Sequence, residues 1–335
     1  MFSRWLQRQW FQRRLTPALW LLLPLLLPVN LLFIAISGWR RRTVKPVHLP
    51  VPVVVVGNIT VGGAGKTPLT LWLAQQLVAR GWQPGIVSRG YGAAGLAARP
   101  VRADSLAQEV GDEPLLLVRH SALPVWVGRD RAAVGAALLA AHPAVDVLLC
   151  DDGLQHVRLA RDVELAVFDR RGMGNGWRLP LGPLRESPAR LAAVDAVIGN
   201  DFPTQQLPGT TPGFAMRLLP GVFYRLDDAS IRCNADALRG KSLHALAGIG
   251  DPSRFFRTLQ ALGLDFVAHP FPDHHAYQAD DLAFSDGSVL LMTEKDAVKC
   301  AALTTREAWV LPVEAELSPA LIDLIVEKLR GRQVA

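Results

Sequence analysis

The sequence predicts an α/β protein built on a mainly parallel sheet with helices on both faces, extended by a smaller C-terminal α/β domain and an N-terminal membrane-associated helix. Three observations predict it. Val53–Val56 is a strand-length apolar run that passes through a glycine-rich turn into a helix opening at Lys66-Thr67. From there, apolar strand-length runs alternate with helical stretches to about residue 200, and a second alternation starts at Ser242. Ahead of both lies Leu15–Ile36, almost wholly apolar.

The turn Gly57-Asn58-Ile59-Thr60-Val61-Gly62-Gly63-Ala64-Gly65-Lys66-Thr67 reads as a P-loop. Backbone N–H groups of Thr60, Gly62, Gly63, Ala64 and Gly65 can close around phosphates, and the helix N-terminus adds partial positive charge. Lys66 reaches the outer phosphates and the Thr67 hydroxyl suits Mg²⁺. The match is imperfect: Thr60 stands where the usual pattern has its first glycine, and Gly57 lies three residues earlier. A glycine-rich βα turn without nucleotide is the competing reading.

Strands are expected at 85–88, 124–127, 145–150, 163–168 and 195–199, with helices at 66–80, 107–119 and 130–141. Phe214–Leu218 and Val222–Leu226 flank Pro220-Gly221 and read as a β-hairpin. The second alternation gives strands at 243–248, 265–268 and 288–292 and a terminal helix at 318–330. The expected division is a membrane segment 1–45, a P-loop domain 46–211, a hairpin-like connection 212–240 and a smaller α/β domain 241–335 that closes over the site.

The chain of 335 residues carries a net charge of +6. It lacks the aromatic-basic pattern of a nucleic-acid module, so nucleic acid is not an expected partner. Cys150, Cys233 and Cys300 lie far apart without CxxC spacing, which argues against a structural zinc or a disulfide framework. Basic residues flank the apolar run on both sides, Arg4 to Arg14 before it and Arg40 to Lys45 after it. A cleaved leader, a transmembrane helix and a segment held in one leaflet all fit. Pro24, Pro28 and Asn30 interrupt the run, and basic flanks at both ends suit anionic headgroups on one face, which favours the last.

Val145–Cys150 is an apolar strand that ends in Asp151-Asp152. Beside a P-loop such an aspartate binds Mg²⁺ directly or through water; without one it is a turn cap. Gln155 and His156 follow on the same loop. Asp112 and Glu113 open a helix, where ordinary first-turn acidity competes with a catalytic role. Phe271-Pro272-Asp273-His274-His275 reads as a solvated loop or a site loop. Asn175 and Arg178 precede Leu179-Pro180-Leu181-Gly182-Pro183-Leu184-Arg185-Glu186, whose arginine suits an anionic substrate. Lys295, in Thr293-Glu294-Lys295-Asp296, fits either a ligand contact or a solvated helix start.

In order, GNITVGGAGKTP, SRGYG, GDEP, CDDGLQH, LPLGPLRE, FPDHHAY and TEKDAVKC span residues 57–300. Each is weak alone; the ordered set resembles the tetraacyldisaccharide 4'-kinases, the lipid A 4'-kinases of Gram-negative bacteria. The resemblance implies transfer of the γ-phosphate of ATP to the 4'-hydroxyl of a tetraacylated glucosamine disaccharide 1-phosphate, at the cytoplasmic face of the inner membrane. It implies Lys66 and Thr67 serving ATP and Mg²⁺, Asp151 at the metal and Asp112 as base supported by His274. It casts Glu113, Asp152 and Gln155 as further contributors, with Glu113 toward the metal and Asp152 toward catalysis. Arg89 and Arg185 would face phosphate or substrate, with Asn175 expected beside them. Thr60 at the first P-loop position is also that family's pattern. A guanine-reading NKxD is absent, which argues against a GTPase switch, and Val61 replaces the extra lysine of membrane-scaffolding ATPases.

Overall fold

The computed structural model describes residues 2–90, 97–284, 287–304 and 306–333. Tyr91 and Gly92 of the SRGYG motif lie outside them.

Two helices come first, α1 (Phe2–Trp10) and α2 (Pro17–Thr43). The first sheet follows. Strands β1 (Val53–Gly57), β2 (Pro84–Ser88), β3 (Arg99–Val101), β4 (Val125–Val127), β5 (Val147–Asp151), β6 (Val163–Asp169), β7 (Ala196–Asn200) and β8 (Gly213–Pro220) alternate with helices α3 (Lys66–Val78), α4 (Ala107–Val110), α5 (Asp112–Ser121) and α6 (Arg131–Ala141). The second sheet uses β9 (Phe223–Arg225), β10 (Arg232–Cys233), β11 (Leu243–Ala247), α7 (Pro252–Ala261), β12 (Val267–Pro270), β13 (Val289–Thr293), α8 (Glu294–Cys300) and β14 (Ala308–Leu311). The chain then returns to the first sheet through β15 (Val313–Leu317) and α9 (Pro319–Gln333).

The first sheet has the order β15-β8-β7-β6-β1-β5-β2-β4-β3. Its interior pairs are parallel, and only the edge strands β3 and β15 run antiparallel. The unbroken Val53–Val56 run follows from burial on both faces. Val54 and Val56 meet Leu69, Leu73 and Leu77 of α3, Leu115 of α5 and Ile322 and Ile325 of α9 on one side. Val53 and Val55 meet Val134 and Leu138 of α6 on the other. Parallel pairing places the end of β1, which feeds the P-loop, beside the end of β5 at Asp151.

The structure departs from the expected hairpin. Phe214–Leu218 and Val222–Leu226 do not pair with each other. β8 joins β7 and β15 in the first sheet, and β9 joins β14 and β10 in the second, whose order is β10-β9-β14-β13-β11-β12. The chain crosses between sheets twice, at Gly221 and at Pro312, and the Gly221 N–H donates to the Pro312 carbonyl at 2.9 Å. Residues 313–333 therefore belong to the first sheet rather than to the unit starting at 241; Leu321, Ile325 and Leu329 are fully buried in its core.

Two further expectations change. The helix expected at 107–119 is divided at Gly111, whose φ of 91° is open to glycine and costly for other residues. The division gives Asp112 and Glu113 a helix N-terminus of their own. Pro24 and Pro28 do not end α2, which runs 27 residues with both inside it.

Candidate active site

The site lies in the crevice between the C-terminal strand ends of the first sheet and those of β11 and β13 in the second. Gly63, Ala64, Gly65, Lys66, Thr67, Glu113, Asn200, Gly250, Asp251, Arg254 and Lys295 line it. A crevice at strand C-termini is where open α/β sheets take ligands.

The P-loop bends through Gly62 and Gly65, with φ of 100° and 95°. Asn200, at the end of β7, donates from Nδ2 to the Ala64 carbonyl at 3.0 Å, and a Cβ on Gly65 would sit 2.5 Å from that nitrogen. The loop is thus held by a neighbouring strand. Thr60 pairs with Leu184 in an isolated bridge, and its hydroxyl accepts from Asn58 Nδ2 at 3.3 Å. The second sheet reaches the same loop: a Cβ on Gly250 would come within 2.9 Å of the Gly63 nitrogen. Arg254 bonds Asn200 Oδ1 at 2.7 Å and Asp201 Oδ2 at 2.8 Å, fastening α7 to the end of β7.

Lys66 is buried at the start of α3, with Nζ 3.4 Å from Asn58 Oδ1 and 3.4 Å from Asp152 Oδ1. Asp152 also takes Arg185 at 3.4 Å. Burial pushes the Asp152 carboxyl up, but Lys66 and Arg185 outweigh it and hold it below the usual range. Arg185 donates to Gln155 Oε1 at 3.1 Å, and Gln155 Nε2 donates to the Asn58 carbonyl at 2.9 Å and to Glu186 Oε1 at 2.8 Å. Glu186 in turn pairs with Arg41 of α2. One polar chain thus runs from the N-terminal helix to the P-loop lysine.

Asp151 is fully buried. Its Oδ1 accepts from the Thr70 hydroxyl at 3.3 Å, and its Oδ2 has no hydrogen-bond partner among the described residues. Burial first, then the Glu113 carboxylate, push Asp151 up to about 7 against the pull of Lys66. A buried carboxylate with one idle oxygen beside other carboxylates is the chemistry of a divalent-cation ligand, and Thr67 stands in the first turn of the adjoining α3.

A second cluster joins the two sheets. His274 Nδ1 lies 3.2 Å from Asp112 Oδ2. Lys295 Nζ lies 3.0 Å from Glu113 Oε1, 3.1 Å from Asp273 Oδ1 and 3.4 Å from His274 Nε2. Burial pushes Asp112 up, yet the His274 hydrogen bond and the Lys295 charge hold it below the ordinary value. The same hydrogen bond raises His274. Burial works to lower Lys295, but Glu113, Asp112 and Asp273 raise it well above an ordinary lysine.

Sequence reasoning and geometry part at two residues, Asn175 and His156. Asn175, expected to meet substrate, spends its side chain on its own loop: Nδ2 donates to the Leu181 carbonyl at 2.9 Å and Oδ1 accepts from the Trp177 N–H at 3.1 Å. Arg89 stands exposed after β2. His156 accepts from the Arg131 N–H at 3.1 Å and so caps α6; burial and Arg131 lower it to about 4, which keeps it neutral. Asn58, Thr70, Asn200 and Gly250 were missed. Asn200 had a signal, an Asn at the end of a parallel strand beside the P-loop strand's neighbour.

The family model described as tetraacyldisaccharide-1-P 4'-kinase matches residues 22–330. The tetraacyldisaccharide 4'-kinase of Dechloromonas aromatica is 67% identical over 337 aligned residues, covering 100% of both chains. That of an Azoarcus species is 50% identical over 321 residues, with 93% of each chain covered. Among solved structures, the "apo" form LpxK from Aquifex aeolicus in complex with ATP matches with a TM-score of 0.75 and 27% identity, over 90% of this chain and 98% of that one.

The idle oxygen of Asp151 gives the site a measurable signature. Because its folded pKa of about 7 lies above the unfolded value, the folded state binds the proton more tightly and loses stability as pH rises between the two. Asp151→Asn removes that loss. At about pH 8, without metal or nucleotide, the variant is expected to melt several degrees above the parent, with the gap narrowing toward pH 5. Its turnover is expected to fall roughly 100-fold or more. Equal melting temperatures at pH 8 would refute the charge assignment.

Proposed function

The chain belongs to the tetraacyldisaccharide-1-P 4'-kinase family, and from that premise we propose how its residues carry out the reaction. The enzyme uses ATP to phosphorylate the 4'-hydroxyl of a tetraacylated glucosamine disaccharide 1-phosphate, a step in lipid A biosynthesis.

The observation that carries the mechanism is the Asp112–His274 contact, made between the two sheets beside the P-loop. Phosphoryl transfer rests mainly on positioning and on charge neutralisation. The backbone N–H groups of residues 62–65 and the Lys66 ammonium hold the ATP phosphates, with Thr60 buried at the loop's base. Asp112 faces the sugar hydroxyl and takes its proton as the oxygen attacks the γ-phosphorus. His274 orients the carboxylate and shares that proton. Asp152 and Asn58 keep Lys66 aimed, and Arg185 with Gln155 braces Asp152 and the Asn58 backbone behind them. Asp151, Thr67 and Glu113 would hold Mg²⁺, which when bound neutralises the phosphate oxygens; the unpartnered Oδ2 of Asp151 fits that role.

The substrate's acyl chains require a membrane, and α2 supplies the contact. Its inward face is fastened along its length: Leu19 is buried, Asn30 donates to the carbonyls of Arg178 and Leu179 at 2.7 and 3.0 Å, and Arg41 pairs with Glu186. The opposite face exposes Leu21, Leu25, Leu32, Ile36 and Trp39. A helix of 27 residues is about 40 Å long, enough to cross a bilayer, yet one bound to the body at both ends and the middle does not leave it to do so. We therefore place α2 along one leaflet at the cytoplasmic face of the inner membrane, with membrane lipids as its partners.

Two outcomes test this reading. Asp112→Ala and His274→Ala are each expected to lower kcat by roughly 10²–10⁴-fold with little change in ATP affinity. Their double variant should be scarcely worse than the more damaged single one; fully multiplying losses would mean that the two act independently. Second, Leu25→Glu with Leu32→Glu should release the enzyme from anionic vesicles while a short-chain soluble acceptor is still phosphorylated. Unchanged vesicle binding would move the attachment to another surface.

A further inference from the structure

Arg171 takes no part in the roles above, yet it stands where the P-loop, the second sheet and the N-terminal segment meet. We propose that Arg171 is a positioning residue for the phosphate loop, itself held by the N-terminal segment, so that ATP affinity depends on how α1 is seated. The proposal rests on the reading of residues 62–65 as the phosphate cradle.

Arg171 lies two residues beyond the end of β6, and Asp169, the last residue of that strand, fixes it. The Asp169 carboxylate accepts from the Arg171 backbone N–H at 2.9 Å, from Nε at 2.9 Å and from Nη2 at 2.5 Å. A guanidinium gripped on that edge has its remaining N–H groups free to reach other acceptors. They meet two carbonyls: Nη2 lies 3.3 Å from the Gly63 oxygen and Nη1 3.5 Å from the Gly250 oxygen. The first belongs to the P-loop and the second to the segment between β11 and α7. A Cβ on Gly62 would come within 3.0 Å of Nη2, so the guanidinium lies directly against the loop.

In a trans peptide the C=O and the following N–H point in opposite directions. Drawing the Gly63 carbonyl out to Arg171 therefore turns the Ala64 N–H inward. Asn200 does the same one residue on, donating to the Ala64 carbonyl at 3.0 Å and so turning the Gly65 N–H inward. Successive N–H groups facing one way make an anion-binding concavity. Arg171 and Asn200 set its shape from outside.

The N-terminal segment reaches the same loop twice. The Phe11 ring lies under the guanidinium, with Cζ 4.5 Å from the ring centroid, a cation–π contact. Val61 of the P-loop packs against Leu6, Trp10 and Leu19, all three buried. α1 is tied down beside them: Trp10 Nε1 donates to the Pro180 carbonyl at 2.8 Å, and the Trp10 carbonyl accepts from the Asn175 N–H at 2.8 Å. Arg8, Arg13 and Arg14 stay exposed, so the segment that supports the loop also carries charge suited to anionic headgroups. Linkage is reciprocal: if a seated α1 favours nucleotide, bound nucleotide steadies α1 by the same factor.

The test uses full-length enzyme and a non-hydrolysable ATP analogue with Mg²⁺. Arg171→Met, which keeps the length and loses the donors, should weaken analogue binding and raise KM for ATP roughly 10-fold. kcat should stay within about threefold of the parent. Phe11→Leu, which keeps the apolar packing and loses the ring, should weaken binding roughly threefold. The double variant should bind no worse than Arg171→Met, because Phe11 acts through the guanidinium. Amide hydrogen exchange in residues 5–12 should slow when the analogue binds the parent, and should not respond in Arg171→Met. If the methionine variant is insoluble, Arg171→Gln, too short to span both carbonyls, carries the same readouts. Affinity within about twofold of the parent in the folded variant overturns the proposal. A loss confined to kcat does so too, because it would place Arg171 on the transferring phosphoryl group. Exchange in α1 that ignores nucleotide in the parent, or losses that multiply fully in the double variant, would sever the link to the N-terminal segment. The cradle reading fails separately, if Lys66→Ala binds the analogue as the parent does.

Discussion

Four carboxylates, Asp112, Glu113, Asp151 and Asp152, meet where the two sheets face each other, and their charge governs how the site is built. Carboxylates taken out of water need a cation or a hydrogen bond on each oxygen. Asp152 has Lys66 and Arg185; Asp112 has His274, with Lys295 close by; Glu113 has Lys295. Asp151 has a hydroxyl on one oxygen and, among the described residues, no partner on the other. Two of the balancing groups, His274 and Lys295, come from the second sheet. Bringing the sheets together is therefore also what balances Asp112 and Glu113.

Strain collects in the same place. Among the described residues, four non-glycine residues have a positive φ, namely Ala122, Asp152, Asp201 and His274. Asp152 and His274 are members of the two clusters, and Asp201 lines the crevice and holds Arg254. Each conformation costs on the order of 1–3 kcal/mol and persists because neighbouring contacts over-determine it. Gly250 against Gly63 shows the complementary device: a Cβ on Gly250 would come within 2.9 Å of the Gly63 nitrogen, so a side chain there would push the sheets apart.

The parallel sheet was legible because burial on both faces writes itself as unbroken valine and leucine, and because the P-loop and the Asp-Asp strand end carry their own spacing. Asp112 and His274 were legible only through the resemblance, since nothing local joins residues 162 positions apart. The false hairpin had the right local signal: two alternating runs around Pro220-Gly221. What decided against it was remote, because β15 and β14 offer each run a partner in a different sheet, and the continuous-looking Ala308–Leu317 is cut at Pro312 for the same reason. Asn175 failed for a related cause. An amide beside arginines looks like a ligand contact until its own loop is seen to use both of its ends. Lys295 stayed undecided because a lysine at a helix start is ordinary until three acceptors are found around it.

The account turns on Asp151 carrying charge that the protein alone does not balance. A ¹³C-aspartate titration of the full-length enzyme, assigned with Asp151→Asn, reads that charge directly. The account predicts that Asp151 titrates near pH 7 without metal or nucleotide and stays ionised below about pH 5 once Mg²⁺ and a non-hydrolysable ATP analogue are bound. A carboxyl that titrates near 4 in both states would contradict it.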